Sequence, residues 1–168
     1  MEVLLIRHAI AVDHDAAPSD AERPLTKGGV KRFRLAVRGL ERLGLALDHV
    51  LHSPWLRAVQ TAELLAPVLA GRPERVLQST PLLTQSPGDA LLALAEPFPA
   101  DARIAFVGHE PWMGEQLSLL TTGTIAHADN LRFKKGGVAW LDGEPRPGGM
   151  VLRSMLPPSI LRRIRKGP

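Results

Sequence analysis

The sequence predicts an α/β fold: three layers, α/β/α, built on a mostly parallel central sheet. Two observations carry this. Apolar strand-like runs alternate with helix-like stretches along the chain, the pattern of a parallel sheet with helices on both faces. The chain then closes with two strand-like stretches, "GGVAWLD" and "GMVLRSM", around a turn-rich "GEPRPGG", a pair that can add an antiparallel edge or return strand. With 168 residues there is room for one domain with a real core, and two would be cramped.

The elements follow in order. "EVLLIR" (2–7) reads as a buried strand. "TKGGVKRFRLAVRGLERLG" (26–44) reads as an amphipathic helix. Its Val30, Phe33, Val37, Leu40 and Leu43 recur at helical spacing, and its arginines and lysines fall largely on the other side. Thr26 can cap its start, and Gly44 stands where helices stop. "LDHVLHS" (47–53) is the next strand. Ser53 and Pro54 read as an N-cap and a first-turn proline opening a helix to about Leu69, with Pro67 disturbing its last turn. "ERVLQST" (74–80) reads as a strand, 81–88 as loop, "GDALLALAE" (88–96) as a short helix and "ARIAFVGH" (102–109) as a strand. Pro111 opens a helix that ends near Gly123.

There is no cysteine, which excludes disulfides and thiolate metal sites and fits a reducing compartment. The first apolar run is too short for a signal-peptide core, and no stretch is long enough to span a bilayer. The reading is a soluble cytoplasmic protein, a monomer without membrane or nucleic-acid partners. Net charge is +4, and Arg162, Arg163, Arg165 and Lys166 of the C-terminal stretch account for it. Residues 1–156 are therefore read as one domain and 157–168 as a basic tail, a solvated terminus on the plain reading and a docking patch for an acidic partner on the sharper one.

Polar residues gather where strands give way to helices: Arg7-His8, then His52-Ser53-Pro54 with Arg57 beyond, then Gly108-His109-Glu110-Pro111. In parallel sheets the carboxyl ends of the strands form the ligand crevice, and helix N-termini there present free N–H groups. Two arginines and two histidines on that edge describe an anion site suited to a tetrahedral phosphate. Two guanidinium groups beside the histidines argue against a divalent metal. There is no P-loop and no dinucleotide fingerprint. A neutral imidazole in such a site can attack phosphorus and be phosphorylated.

At these residues the chain resembles the histidine phosphatase superfamily (phosphoglycerate mutase-like), and within it the SixA-type phosphohistidine phosphatases. The matching pieces are "LLIRHA", "ERPLTKGG", "SPWLRAVQTAE", "FVGHEPWMGEQLSLLTTG" and "KKGGVAWL", in order from about residue 4 to 141. The resemblance implies that His8 is the nucleophile and that Arg7, Arg57 and His109 complete the phosphate pocket. It places Arg23 as a further substrate-contacting arginine and Gln60 and Thr61 in support of Arg57. It implies no metal and no organic cofactor. The implied activity is a phosphatase acting on a phosphorylated histidine-containing protein of a signalling or uptake relay. The alternatives are a phosphatase for small monoesters or nucleotides, and a non-catalytic phosphate-binding module.

Two departures from the family pattern matter. Ala9 stands where the signature has glycine, a strain if that position needs positive φ. Leu83 stands where ester-cleaving relatives carry an acidic general acid. Asp13, Asp15, Asp20, Glu22, Asp89 and Glu110 are the remaining candidate acids, any of which can approach the pocket; the favoured reading is solvated charges, or for Glu110 a helix N-terminal charge. A missing acid points to a phosphoramidate substrate, whose imidazole leaving group needs less protonation than an alkoxide. His14, His49, His52 and His127 are read as structural or solvent-facing; Trp55 and Trp112 can either pack in the core or line the site, with packing the favoured reading.

Overall fold

The computed structural model describes residues 1–71, 77–80, 83 and 90–165. Six strands form one sheet: β1 (Glu2–Arg7), β2 (His49–His52), β3 (Leu77–Ser79), β4 (Arg103–Gly108), β5 (Val138–Gly143) and β6 (Met150–Leu156). Their spatial order is β3-β2-β4-β1-β5-β6. The first four are parallel, and β5 and β6 add an antiparallel pair beyond β1. The three-layer α/β/α expectation holds, and the closing strands form the antiparallel edge.

β1 shows why the run is continuously apolar. Successive side chains of a strand point to opposite faces. Leu4 and Ile6 enter one core and Val3 and Leu5 the other, all fully buried. β4 does the same with Ala105 and Val107 on one face and Ile104 and Phe106 on the other. The first core is closed by helices α1 (Lys27–Arg42) and α2 (Leu56–Glu63), the second by α3 (Ala90–Ala95) and α4 (Trp112–Thr122). Among the described residues no helix is long and apolar enough to cross a membrane.

α1 starts as its sequence indicates, with the Thr26 hydroxyl accepting from Gly29 N–H at 2.8 Å. Leu43 departs from the expected apolar face. It lies at the C-cap and is exposed, because the chain turns there into Gly44 at φ +74°. α2 is shorter than expected. Pro67 would clash with the carbonyl of Glu63 in a continuing helix, and α2 ends at Glu63, with a 3₁₀ turn at Ala66–Val68. Nor is Ser53 its N-cap: Trp55 holds that position, without a side-chain cap. α4 ends at Gly123, in the left-handed region at φ +82°. The expected strand residues 74–76, Asp89 and the expected loop 81–88, Leu83 apart, lie outside the described residues.

The C-terminal stretch is not a free tail over its described length. Helix α5 (Pro158–Leu161) packs on α1, Leu161 is fully buried, and Arg42 Nη1 donates to the Ile164 carbonyl at 2.5 Å. Its apolar residues, Leu161 and Ile164, alternate with the charges that made it look solvated. The close approach depends on Gly39, where a Cβ would overlap the Leu161 carbonyl. Gly39→Ala adds helix propensity worth at most about 1 kcal/mol. It also displaces α5, and releasing Leu161 forfeits about 2 kcal/mol of burial. The expected outcome is a lower denaturant midpoint and faster proteolysis after residue 156; a more stable protein would contradict this packing.

Candidate active site

β1 and β4 pair in register up to Arg7 opposite Gly108. The ladder continues one step further, with His8 N–H donating to the Gly108 carbonyl at 3.0 Å. His8 and His109 therefore leave neighbouring strands at the same level, and their rings lie 5.0 Å apart. A tight turn supports them from β5: Gly136 N–H donates to both the Arg7 and His8 carbonyls. Gly136 is at φ +78°, in the left-handed region that favours glycine, and a Cβ there would crowd Phe33. The first turn of α2 adds Arg57. Together Arg7, His8, Arg57 and His109 line a cleft of about 460 Å³.

His8 is held in one tautomer. Its Nδ1 is 2.7 Å from the Ala9 carbonyl, which can only accept, so the proton is on Nδ1 and Nε2 is unprotonated. Arg57 Nε–H donates to the Nε2 lone pair at 3.3 Å. Burial pushes the His8 pKa down to about 3, against the Ala9 hydrogen bond and with the charges of His109, Arg57 and Arg7 adding to it. Burial likewise lowers His109 to about 3, aided by Arg57 and Arg7 and opposed by Asp20. Both rings are neutral at physiological pH. His109 Nε2 shares a 2.9 Å hydrogen bond with the Ser53 hydroxyl, so Ser53 orients an imidazole rather than capping α2.

Ala9 is unstrained. No residue other than glycine has positive φ among those described, so this loop does not need the signature glycine. Thr61 ties the loop to α2, its hydroxyl accepting from Ala9 N–H at 3.0 Å and donating to the Arg57 carbonyl at 2.6 Å. Gln60 acts one step away, accepting from Leu25 N–H at 2.7 Å. Arg7 is anchored by donation from Nη1 to the Phe133 carbonyl at 2.6 Å. Glu110 holds that same segment: Oε1 accepts from Phe133 N–H at 2.6 Å and Oε2 from Gly114 N–H at 3.2 Å. Its charge thus serves the start of α4 as expected, and also fixes the arginine's anchor.

Asp20 is the residue the sequence did not single out. One carboxylate oxygen accepts from Arg57 Nη2 at 2.9 Å and the other from Arg23 Nη1 at 2.6 Å, while its backbone carbonyl accepts from Arg57 Nη1. Partial burial works to raise its pKa, but the hydrogen bonds and charges of Arg23 and Arg57 hold it below the ordinary value. Asp20 is one of four acids in its loop, and only its spacing three before Arg23 marked it. Arg23 lines the cleft, with Nε donating to the Val12 carbonyl at 2.8 Å.

Other residues fall on both sides of expectation. Trp55 lines the cleft instead of packing in the core, its ring 4.8 Å from His109 and 4.5 Å from the Arg57 guanidinium carbon. His14 stands at the mouth, its Nδ1 3.1 Å from Asp20. Lys135 also reaches the cleft; only its place in "KKGGVAWL" hinted at this. Trp112 is a core residue. His52 bonds the Ser53 carbonyl, His49 packs on Phe98, and His127 is exposed. Leu83 is fully buried in the second core. Asp13, Asp15 and Glu22 are exposed. Among the described residues no group of three or more His, Asp or Glu could hold a metal ion.

This arrangement presents an unprotonated imidazole nitrogen to a pocket of guanidinium groups, a setting whose charge suits a phosphate. The chain belongs to the histidine phosphatase superfamily. The family model, histidine phosphatase superfamily (branch 1), matches residues 3–78. An uncharacterized protein of Picosynechococcus is 38% identical over 143 residues, 84% of each chain. The phosphohistidine phosphatase SixA of Escherichia coli is 44% identical over 63 residues, 38% of each chain. Among solved structures, the protein histidine phosphatase SixA complexed with tungstate aligns at TM-score 0.76 and 27% identity, over 95% of this chain and 98% of that one. The fold alone is shared with a phosphoserine phosphatase of Entamoeba histolytica, at TM-score 0.70 and 15% identity over 95% and 98% of the chains.

The depressed histidines have a measurable consequence. Between about pH 6.5 and pH 3 the unfolded chain protonates both rings and the folded chain does not. The unfolded state then binds more protons, so stability falls as pH drops through this window and is unaffected by these groups above it. The imidazole NMR signals of His8 and His109 should stay in their neutral positions from about pH 8 to pH 5. Ring signals titrating near 6.5 would contradict this electrostatic picture.

Proposed function

We propose that this phosphatase works through a phosphorylated His8 and takes as substrate a phosphorylated histidine on a protein of a phosphotransfer relay, in the cytoplasm. The observation that carries this is the state of the carboxylates in the cleft. Asp20 is ionised and gripped by two arginines, and both oxygens of Glu110 are engaged by backbone N–H groups. These are the carboxylates of the cleft among the described residues: Asp20 is held ionised, Glu110 is occupied as an acceptor, and Leu83 stands where ester-cleaving relatives have an acid. An alkoxide leaving group needs a proton from such an acid, a contribution of roughly 10²–10⁴-fold. The imidazole of a phosphohistidine leaves as a neutral group when its other ring nitrogen carries hydrogen, and its conjugate acid has a pKa of only about 6.5.

The chemistry follows from the geometry. His8 Nε2 attacks phosphorus in line, the substrate's P–N bond breaks, and its electron pair stays on the departing imidazole nitrogen. Arg7 and Arg57 neutralise the equatorial oxygens, with His109 and Arg23 beside them. Water then attacks phospho-His8, yielding inorganic phosphate and restoring the ring. The tungstate in the SixA structure, a tetrahedral oxyanion, supports this reading of the pocket. The stretch 71–102 leaves little chain for a lid over a small metabolite, which suits a phosphohistidine displayed on a protein surface.

Labelled phosphate from a histidine-phosphorylated protein should pass to the wild-type chain and not to His8→Ala, with turnover falling about 10⁴-fold or more. Failure to label the wild type during turnover would remove the covalent route. Arg57→Ala should lower kcat/KM on the phosphohistidine substrate by roughly 10²–10³-fold. A phosphoserine peptide should be hydrolysed far more slowly than a phosphohistidine peptide of the same sequence; equal or faster ester cleavage would replace this reading with a monoester phosphatase.

A further inference from the structure

A second groove of about 410 Å³ adjoins the catalytic cleft. Its apolar wall is made by Ile10, Phe33, Pro157 and Pro158. Its rim carries Arg32, Lys134, Lys135 and Arg162, and among the described residues no acidic one lines it. Among the described residues none of these four cations is paired with a carboxylate, whereas six arginine–carboxylate pairs form elsewhere. Four uncompensated like charges around an apolar surface repel one another and oppose folding. They come from α1, from the turn before β5 and from α5, so the docking of the C-terminal stretch is what completes the rim.

The groove and the cleft share a wall residue. Lys135 lines both. Ala9, next to His8, lies in the groove wall. The turn that carries Lys134 and Lys135 is the one whose Gly136 N–H bonds the Arg7 and His8 carbonyls and packs on Phe33. A chain whose phosphohistidine sits over His8 therefore has neighbouring residues at this groove.

We propose that the groove docks an acidic segment of the phosphoprotein substrate, its carboxylates on the four cations and an apolar side chain on the Ile10–Pro158 wall. This rests on the phosphohistidine reading of the catalytic cleft. Charge complementarity selects the occupant: the rim attracts carboxylates, and the apolar wall suits a peptide side chain better than a free anion. Docking here provides specificity that the phosphate pocket, which sees only the phosphoryl group, cannot supply.

The test uses three substrates: free phosphohistidine, a histidine-phosphorylated peptide with Glu-Glu-Leu-Glu on each flank, and the same peptide with Gln for each Glu. The enzymes are the wild type and the double variant Arg32→Glu, Arg162→Glu, neither residue being part of the catalytic cleft. We expect the wild type to favour the acidic peptide by about tenfold in kcat/KM, through KM, at about 50 mM salt, shrinking at about 500 mM as screening predicts. The double variant should lose that preference, while its turnover of free phosphohistidine stays within about twofold. Equal use of both peptides by a wild type that hydrolyses free phosphohistidine overturns the docking groove and leaves the catalytic reading standing. So does a double variant that keeps the preference, or one whose only loss is binding to single-stranded DNA or phosphatidylserine vesicles. A wild type inactive on all three substrates overturns the catalytic reading, and the docking proposal with it.

Discussion

The hydrogen bond from His8 N–H to the Gly108 carbonyl sets the geometry of the site. It extends the β1–β4 ladder one residue past the end of β1, so the first residue beyond the strand is held as firmly as the strand itself. β1 is buried on both faces, and a slip of one residue would exchange its two cores. The register cannot drift, and His8 cannot drift with it. His109 starts from the other side of the same ladder. Two imidazoles are thus placed by the packing of apolar residues that never touch a ligand.

Electrostatics then acts on that frame. Arg7, Arg23 and Arg57 converge on the cleft and are held by hydrogen bonds to carbonyls and to Asp20. In this positive, desolvated setting a charged imidazole is unfavourable, so burial and the arginines keep His8 and His109 neutral. The same guanidinium groups that suit the cleft to an anion also keep the His8 Nε2 nitrogen unprotonated. Asp20 is the counter-charge that lets arginines lie close together without a ligand, and its own ionisation is the result.

Much of the fold was legible because its signals are local. The Thr26 cap, the 3.6-residue period of α1, the apolar run of β1 and the Gly123 stop each act within a few residues of chain. Pro67 was legible too, although its effect was larger than expected: it moved the helix end back to Glu63. Of the site, Arg7, His8, Arg57 and His109 stood out because all fall at strand-to-helix junctions. Asp20, Trp55, His14 and Lys135 did not, because their roles depend on which loops meet over the sheet. The docked C-terminal stretch was misread for a similar reason: its charges are visible one by one, whereas the fit of Leu161 against Gly39 is a property of two distant segments.

By itself, the sequence determined the class of fold, the edge of the sheet that carries the site and the four residues at its centre. Those follow from periodicity and from polar residues adjoining buried runs, which are short-range facts. Only the tertiary structure decided the tautomer of His8, the absence of strain at Ala9, the pairing of Asp20 with two arginines and the basic groove beside the cleft. Each needs two or more segments brought together at hydrogen-bond distance, and no spacing along one chain records which carbonyl or which carboxylate will be there.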